Sequence, residues 1–325
     1  MAYGDLLGDH ESIRAVRDLI ARIAASPART VLLYGETGTG KGLVARLLHR
    51  LSARREKPFV DVNCAAIPAS LMESELFGHE RGAFTGAAMA KPGLIEAADG
   101  GTLFLDEIRE MDLPLQAKLL TLLDTQRFRR LGAVRQTAVD VRFVASTNRI
   151  LLSEVKAGRF RDDLYWRLQV VPVNIPPLRA RGDDVLLLAE SFLRHHGARC
   201  GRVIRGLEPR VAEVFRRYSW PGNVRELENL IERIAILETE DQVLMRHLPD
   251  RILREVEGRA LPAAAEGEGA AALRFHEATE RFQKALIERA LREAGGRHGR
   301  AAARLGLTRH ALRHQMQKLG LAGPG

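Results

Sequence analysis

The 325-residue sequence predicts an α/β chain, a parallel sheet flanked by helices, followed by a helical subdomain and a small all-α unit at the C-terminus. Three observations carry that prediction. From Thr30 to Arg149 short β-rich runs alternate with helical stretches, which is how a parallel sheet reads. After Pro176-Pro177 the strand signals stop and helical periodicity takes over. Beyond Glu257 to Ala272, a stretch of mainly Ala, Gly and Glu without a clear apolar stripe, helical spacing resumes.

The strand candidates are Thr30 to Tyr34, Phe59 to Val62, Thr102 to Leu105 and Val139 to Ser146. The helical candidates behind them are Asp184 to His196, Arg210 to Tyr218 and Val224 to Glu238. At the C-terminal end Phe275, Phe282, Leu286 and Ala290 recur at helical spacing until Gly295-Gly296 ends the helix. The expected division is 1–175 for the α/β part, 176–250 for the helical subdomain, 251–272 for a linker and 273–325 for the C-terminal unit.

With 46% apolar and 28% charged residues, the chain can bury a substantial core over two or three domains. No run of about 18 apolar residues occurs and Met1 to Arg14 lacks a signal-peptide pattern, so the cytoplasm is the expected compartment and no membrane is expected as a partner. Two cysteines, Cys64 and Cys200, suit a reducing environment, are too few for a cysteine-based zinc site and read as packing residues. The net charge is +9, and from Gly295 onward Arg297, Arg300, Arg304, Arg309, Arg313 and Lys318 stand without a single Asp or Glu. That asymmetry fits a nucleic-acid contact; a solvated basic tail is the plainer alternative.

Directly after the first strand comes Gly35-Glu36-Thr37-Gly38-Thr39-Gly40-Lys41, opening the helical stretch Leu43 to Leu51. Glycines there let backbone N–H groups cradle phosphate oxygens, the helix N-terminus adds partial positive charge, and Lys41 reaches the β- and γ-phosphates. The residue after the lysine is ordinarily Ser or Thr, whose hydroxyl binds Mg2+; here it is Gly42. A second element, Gly100 to Glu107, is an apolar strand ending in two carboxylates, Asp106 to hold Mg2+ and Glu107 to polarise the attacking water. The pair of elements points to ATP with Mg2+ as ligands.

With these residues, the sequence resembles the AAA+ ATPases and, more narrowly, the sigma-54-dependent transcription activators. The segment that carries the narrower resemblance is Gly82-Ala83-Phe84-Thr85-Gly86-Ala87, preceded by Glu75-Leu76-Phe77-Gly78-His79-Glu80-Arg81. In that family it forms a loop that touches sigma-54 when ATP is bound. Residue chemistry alone leaves two readings open, an exposed apolar tip framed by glycines or a loop whose Phe84 folds back onto the core. The resemblance runs from about Leu7 to Pro249. It implies a switch role for Asn63, pairing with Glu107, and a first sensor at Thr147-Asn148, although Asn after a strand is also a common turn residue. It makes Arg161 and Arg167 arginine-finger candidates, delivered by a neighbouring subunit, and Arg225 a second sensor. Each of these arginines also reads as an ordinary ion-pair partner. At Gly42 the family usually has Glu, so this chain departs from both patterns.

At the end of the chain, Gly299 to His314 reads as helix, glycine turn, helix, with Ala301, Ala302 and Leu305 packing against Leu307, Leu312 and Leu319. Thr308 suits a cap, and Arg300, Arg309, His310, Arg313, His314 and Gln317 suit base edges and phosphates of double-stranded DNA. The segment is similar to the Fis-type helix-turn-helix of sigma-54 activators; a plain helical hairpin is the alternative. Together the resemblances imply an ATP-hydrolysing activator, a hexamer by analogy, that binds an upstream DNA site and opens sigma-54 RNA polymerase promoter complexes. Two rival functions differ in what they need. A DNA-bound regulator independent of ATP turnover needs neither Glu107 nor the Phe84 loop, and a remodelling ATPase with another client should lack the Gly82 to Ala87 sequence. The sequence begins almost at the motor, leaving no room before Leu7 for a sensing domain. Control is therefore expected from a separate regulatory protein, from expression level or from a further region of the polypeptide.

Overall fold

A computed structural model describes residues 6–258 and, further on, Lys284, Ile287, Ala290, Leu291, Ala294, His298, Ala301, Ala302, Leu312 and Met316. The chain forms two compact units, Met1–Val256 and Glu257–Gly325.

In the first unit the order is α1 (Glu11–Ala25), β1 (Thr30–Tyr34), α2 (Lys41–Arg50), β2 (Phe59–Asn63), α3 (Ala69–Phe77), β3 (Gly78–His79), β4 (Lys91–Pro92), α4 (Leu94–Ala97), β5 (Thr102–Asp106), α5 (Leu113–Thr125), β6 (Arg127–Phe128), β7 (Thr137–Ala138), β8 (Arg142–Thr147), α6 (Leu151–Lys156), α7 (Asp162–Leu168) and β9 (Pro172–Asn174). Five strands form one parallel sheet in the order β2-β5-β8-β1-β9. β9 is the strand that the sequence does not announce. It is three residues long, begins with Pro and lies at the sheet edge beside β1, where a missing N–H costs no ladder bond. β8 begins at Arg142 rather than at Val139, since Val139 instead donates its amide to Gln126 O, extending the antiparallel β6–β7 pair.

Alternation along the strands sends successive side chains to two different cores. Val31, Leu33, Phe104 and Val144 pack against α1 and α2, whereas Leu32, Leu103, Leu105, Phe143 and Ala145 pack on the face covered by α3 to α7. Burial on both faces explains why these strands read as continuous apolar runs. Each fully buried Leu or Phe contributes roughly 1.5–3 kcal/mol of transfer free energy.

The helical subdomain, called the lid below, comprises α8 (Asp184–Arg199), α9 (Pro209–Arg217), α10 (Asn223–Leu237) and α11 (Asp250–Gly258) around a core that includes Phe215, Trp220, Leu227 and Ile231. Trp220 is 1% exposed and donates its indole N–H to Phe215 O at 2.8 Å. α11 buries Ile252 and Val256 in this same core, so the lid extends past residue 250 and the stretch from 251 is not linker at its start. Cys64 is buried, which pushes its thiol up to about 12. Cys200 is exposed at the end of α8, against the expectation that both cysteines serve packing.

In the second unit Ile287, Ala290, Ala294, Ala301, Ala302, Leu312 and Met316 form a small core. The DNA-contact candidates Arg300, Thr308, Arg309, His310, Arg313, His314 and Gln317 lie outside the described residues.

Candidate active site

The loop between β1 and α2 is shaped by backbone that only glycine adopts easily. Gly38 and Gly40 have φ of 80° and 100°, and Gly40 stands at the N-cap of α2 with no side chain to satisfy the first-turn amides. Those amides are the donors an anion would meet. At Gly35 a Cβ would stand 2.8 Å from Thr39 Oγ1 and 3.1 Å from Ile175 O, and the Thr39 hydroxyl closes the loop by donating to Glu36 O at 2.8 Å.

Lys41 is only 7% exposed; its ammonium donates to Gly35 O at 3.0 Å and Glu36 O at 3.4 Å and stands 3.3 Å from Glu107 Oε1. Glu107 follows β5 in the left-handed region, φ 53°, which a β-strand successor with a side chain occupies only under strain of about 1–2 kcal/mol. Its carboxylate is held from three sides, by Lys41, by the Asn148 amide at 3.2 Å and by the Arg109 guanidinium at 3.7 Å. Asp106 accepts a short hydrogen bond from the Ser146 hydroxyl. The Asn148 side chain donates to Thr37 Oγ1 at 3.1 Å and accepts from Arg109 Nε at 3.2 Å, linking β8 to the loop. Thr147, its neighbour, is fully buried, and its hydroxyl serves the turn by donating to Arg149 O. Of the expected sensor pair, Asn148 is the residue that reaches both the loop and Glu107.

The expected Asn63–Glu107 pair is not formed. Asn63 Oδ1 accepts from Ala65 N at 2.9 Å, a local turn that competes for the same side chain, while Lys41, Arg109 and Asn148 take the Glu107 carboxylate. Arg161 and Arg167 are absent from the residues lining the cleft. Arg161 pairs with Asp163 and Arg167 with Asp124 at 2.9 Å. Gln116, fully buried, accepts from Arg161 N and donates to Arg159 O, fixing the segment that carries Arg161.

The lid closes on the loop through residues whose role the sequence does not reveal. Asn223, fully buried with φ 52°, accepts from Leu178 N and donates to Glu36 Oε2 and Thr37 O. Arg179 grips Glu36 with two hydrogen bonds, 2.8 and 2.5 Å, which hold that carboxyl below its ordinary value. Arg181, 1% exposed, donates to Thr39 O at 3.0 Å, and burial pulls its guanidinium down to about 10, still charged at neutral pH. A faint signal exists in Arg179-Ala180-Arg181-Gly182-Asp183-Asp184, whose charges sit just after the sheet ends. Arg225 donates its amide to Gly38 O at 3.3 Å. Loop, carboxylates and lid bound a cleft of about 390 Å³ lined by Lys41, Gly42, Asp106, Glu107, Arg181 and Arg225, of the size ligand sites have. At Gly42 a Cβ would meet only Phe104 Cε1, at 3.8 Å, so the missing side chain is not excluded by crowding.

The loop at 82–87 rises from the two-stranded base of β3 and β4. Gly82 N donates to Ala87 O at 2.8 Å and closes it. Phe84 is 42% exposed, with its ring edge-on to His79 at 5.0 Å; Thr85 is exposed and Ala87 buried. Phe84 thus neither enters the core nor stands free. The β6–β7 hairpin braces the loop, since Glu80 N donates to Leu131 O and Arg130 pairs with Glu80 and Glu96.

Family models match almost the whole chain: the Sigma-54 interaction domain over residues 6–174, the AAA+ ATPase lid domain over 179–264 and the bacterial regulatory protein, Fis family, over 278–319. Among curated proteins, the chain is 43% identical to the regulatory protein LuxO of Vibrio cholerae over 97% of its length and 69% of that protein's. It is 44% identical to the response regulator protein PilR of Pseudomonas aeruginosa, over 97% and 70%, and 42% to the regulatory protein AtoC of Escherichia coli, over 98% and 68%. Among solved structures, NtrX from Brucella abortus in complex with ADP superposes with a TM-score of 0.72 at 36% identity, covering 98% of this chain and 70% of that one. NtrX in complex with ATP gives 0.71 at the same identity and coverage.

Proposed function

For a chain that belongs to the sigma-54 activator family, with an AAA+ ATPase domain, its lid and a Fis-type helix-turn-helix, we propose that it hydrolyses ATP to remodel sigma-54 RNA polymerase from a closed to an open promoter complex while bound to upstream DNA. The observation that carries this is the Lys41–Glu107 pair at the mouth of the glycine loop, 3.3 Å apart and both largely buried, on the same domain as an exposed Phe84-Thr85 loop.

The loop amides at Gly38 to Gly40 and the start of α2 bind the phosphates, and Lys41 neutralises their charge. Glu107, presented by strained backbone and steered by the Asn148 amide and Arg109, orients the attacking water and takes its proton. Asp106 is the oxygen donor suited to Mg2+, which when bound neutralises triphosphate charge; Gly42 supplies no hydroxyl beside it. Asn148 reaches Thr37 in the phosphate loop and Glu107 in the strand end, the placement of a group that reports the state of the γ-phosphate. Arg225 couples the lid to the same loop. Arg161 and Arg167, engaged with carboxylates of their own chain, are available to the neighbour's site only in an assembly, so hydrolysis depends on a ring, a hexamer by analogy with the family. ATP engagement then changes how the β3–β4 base presents Phe84 and Thr85 to sigma-54, and the C-terminal unit holds the ring near its promoter. A separate regulatory protein is one route of control.

The test is ATP-dependent open-complex formation on a sigma-54 promoter with the intact chain, Glu107→Ala and Thr85→Ala. The reading expects an active intact chain, a Glu107→Ala variant without hydrolysis, and a Thr85→Ala variant that hydrolyses ATP but opens nothing. An intact chain that hydrolyses ATP and never opens the promoter contradicts the assigned client. One that binds promoter DNA but shows no hydrolysis contradicts the motor.

A further inference from the structure

Leu6 and Leu7 are consecutive residues that belong to different cores. Leu6 packs with Ile13, Val31 and Val44 on the α1–α2 face of the sheet, and Leu7 packs with Leu188, Phe192 and Leu193 of the lid. Both also line the cleft, next to Leu43, Leu188, Phe192 and Val224. This apolar side of the cleft has nothing to offer a phosphate and suits a flat heterocycle.

The strap that contributes Leu6 and Leu7 belongs to no strand or helix and is tied at both ends: Leu6 O accepts from Arg17 Nη1 of α1 at 3.2 Å, and its far end is held by the lid. Asp184, 3% exposed and the first residue of α8, accepts from Asp9 N at 2.6 Å and from His10 N at 3.0 Å with one oxygen, Oδ1. Its other oxygen, Oδ2, is buried and makes no hydrogen bond among the described residues. Gly8 is forced by the same carboxylate. Its φ is +147°, and a Cβ there would stand 2.4 Å from Asp184 Oδ2 and 3.0 Å from Ile13 Cγ2. Three residues before Asp184 on the chain, Arg181 offsets the buried negative charge and holds the phosphate loop through Thr39 O. One buried carboxylate therefore ties the Asp9–His10 end of the strap to the lid, and a neighbouring guanidinium ties the phosphate loop, at a single cleft.

We infer that Asp184 is a positioning residue that sets the base-specific wall of the nucleotide cleft, acting through the strap Leu6–His10, and that Gly8 is the small residue this contact requires. The inference rests on the nucleotide reading of the cleft and adds to it the determinant that distinguishes a nucleoside triphosphate from a bare triphosphate.

Equilibrium binding of ATP and of inorganic tripolyphosphate to the intact chain separates the two, with hydrogen exchange at the Asp9 and His10 amides as a second readout. Asp184→Ala is expected to weaken ATP about tenfold while tripolyphosphate changes by less than about twofold. Exchange at Asp9 and His10 should accelerate, and KM for ATP should rise more than kcat falls. Asp184→Asn, which keeps an Oδ1 acceptor, should recover most of the ATP affinity. Gly8→Ala gives the same split from the other side of the contact and decides the matter if Asp184→Ala fails to fold. Equal weakening of ATP and tripolyphosphate in Asp184→Ala and Gly8→Ala assigns both residues a merely structural role and overturns the inference. So does an intact chain that binds ATP no more tightly than tripolyphosphate, although the nucleotide reading survives that result. An intact chain that binds neither brings down the nucleotide reading as well.

Discussion

The cleft and the loop at 82–87 use the same backbone device for opposite ends. Each contains two glycines in left-handed conformation, Gly38 and Gly40 in one, Gly82 and Gly86 in the other. At Gly38 a Cβ would stand 2.2 Å from Gly222 O, so glycine there permits the lid's backbone to approach the phosphate loop. At Gly82 and Gly86 a Cβ would meet nothing within 4 Å, so glycine there serves the chain's path alone and leaves the tip accessible. The side chains follow suit. Lys41 is 7% exposed and met by two carbonyls and a carboxylate, whereas Phe84 is 42% exposed and touches one histidine ring edge-on. Chemistry on a phosphate needs groups fixed before the substrate arrives; engagement of a protein partner needs apolar surface that is still uncovered.

That contrast predicts a hierarchy of effects. The largest belongs to Glu107→Gln, which keeps the shape of the side chain and removes its charge: steady-state phosphate release should fall about 10²–10⁴-fold with ATP still bound. Turnover within a few-fold of the parent would assign the base elsewhere. Next comes Asn223→Ala, which strands the Leu178 amide and leaves a non-glycine residue at φ 52° without its side-chain bonds; unfolding free energy should drop by roughly 2–3 kcal/mol. Denaturant titration measures it, and an unchanged midpoint would show that the lid latch does not contribute to stability. In the loop, Phe84→Ala should cost less than about 1 kcal/mol, because the ring is nearly half exposed and leaves no sealed cavity. The same variant should keep its ATPase and lose sigma-54 in a pull-down with a nucleotide transition-state analogue. Retained capture would move the contact to another surface.

The smallest effect is a pH dependence. Hydrogen bonds from Arg179 hold the Glu36 carboxyl below its ordinary value of 4.5. A carboxyl lowered on folding stabilises the fold above the ordinary value, and that contribution is lost as pH falls through the lowered one. Arg179→Ala should therefore lower the melting temperature by roughly 1–3 °C near neutral pH, given the modest worth of exposed pairs. The gap between variant and parent should narrow as pH drops below 4.5. A gap that stays constant through that range would show that the latch does not depend on the Glu36 charge.

Much of this molecule is legible along the chain because its physics is local. A glycine loop between strand and helix, a strand ending in Asp106-Glu107, and apolar runs buried on both sheet faces are determined by residues adjacent in sequence. They lead to the sheet, to the nucleotide cleft and, with the Gly82 to Ala87 segment, to the family. Other features needed the folded chain. β9 is too short and too exposed at the edge to carry a pattern, and Asn63 turned to its own backbone while Glu107 found Lys41, Arg109 and Asn148. Asn223, Arg181 and Asp184 take their roles from partners about 140 to 190 positions away. A polar side chain in a helical stretch carries no mark of whether it will face water or a distant main chain. By itself the sequence determined which groups could bind a triphosphate and how the strands alternate. The tertiary structure alone decided which buried polar atoms meet across the cleft, because burying them is favourable only when packing brings a partner within hydrogen-bonding distance.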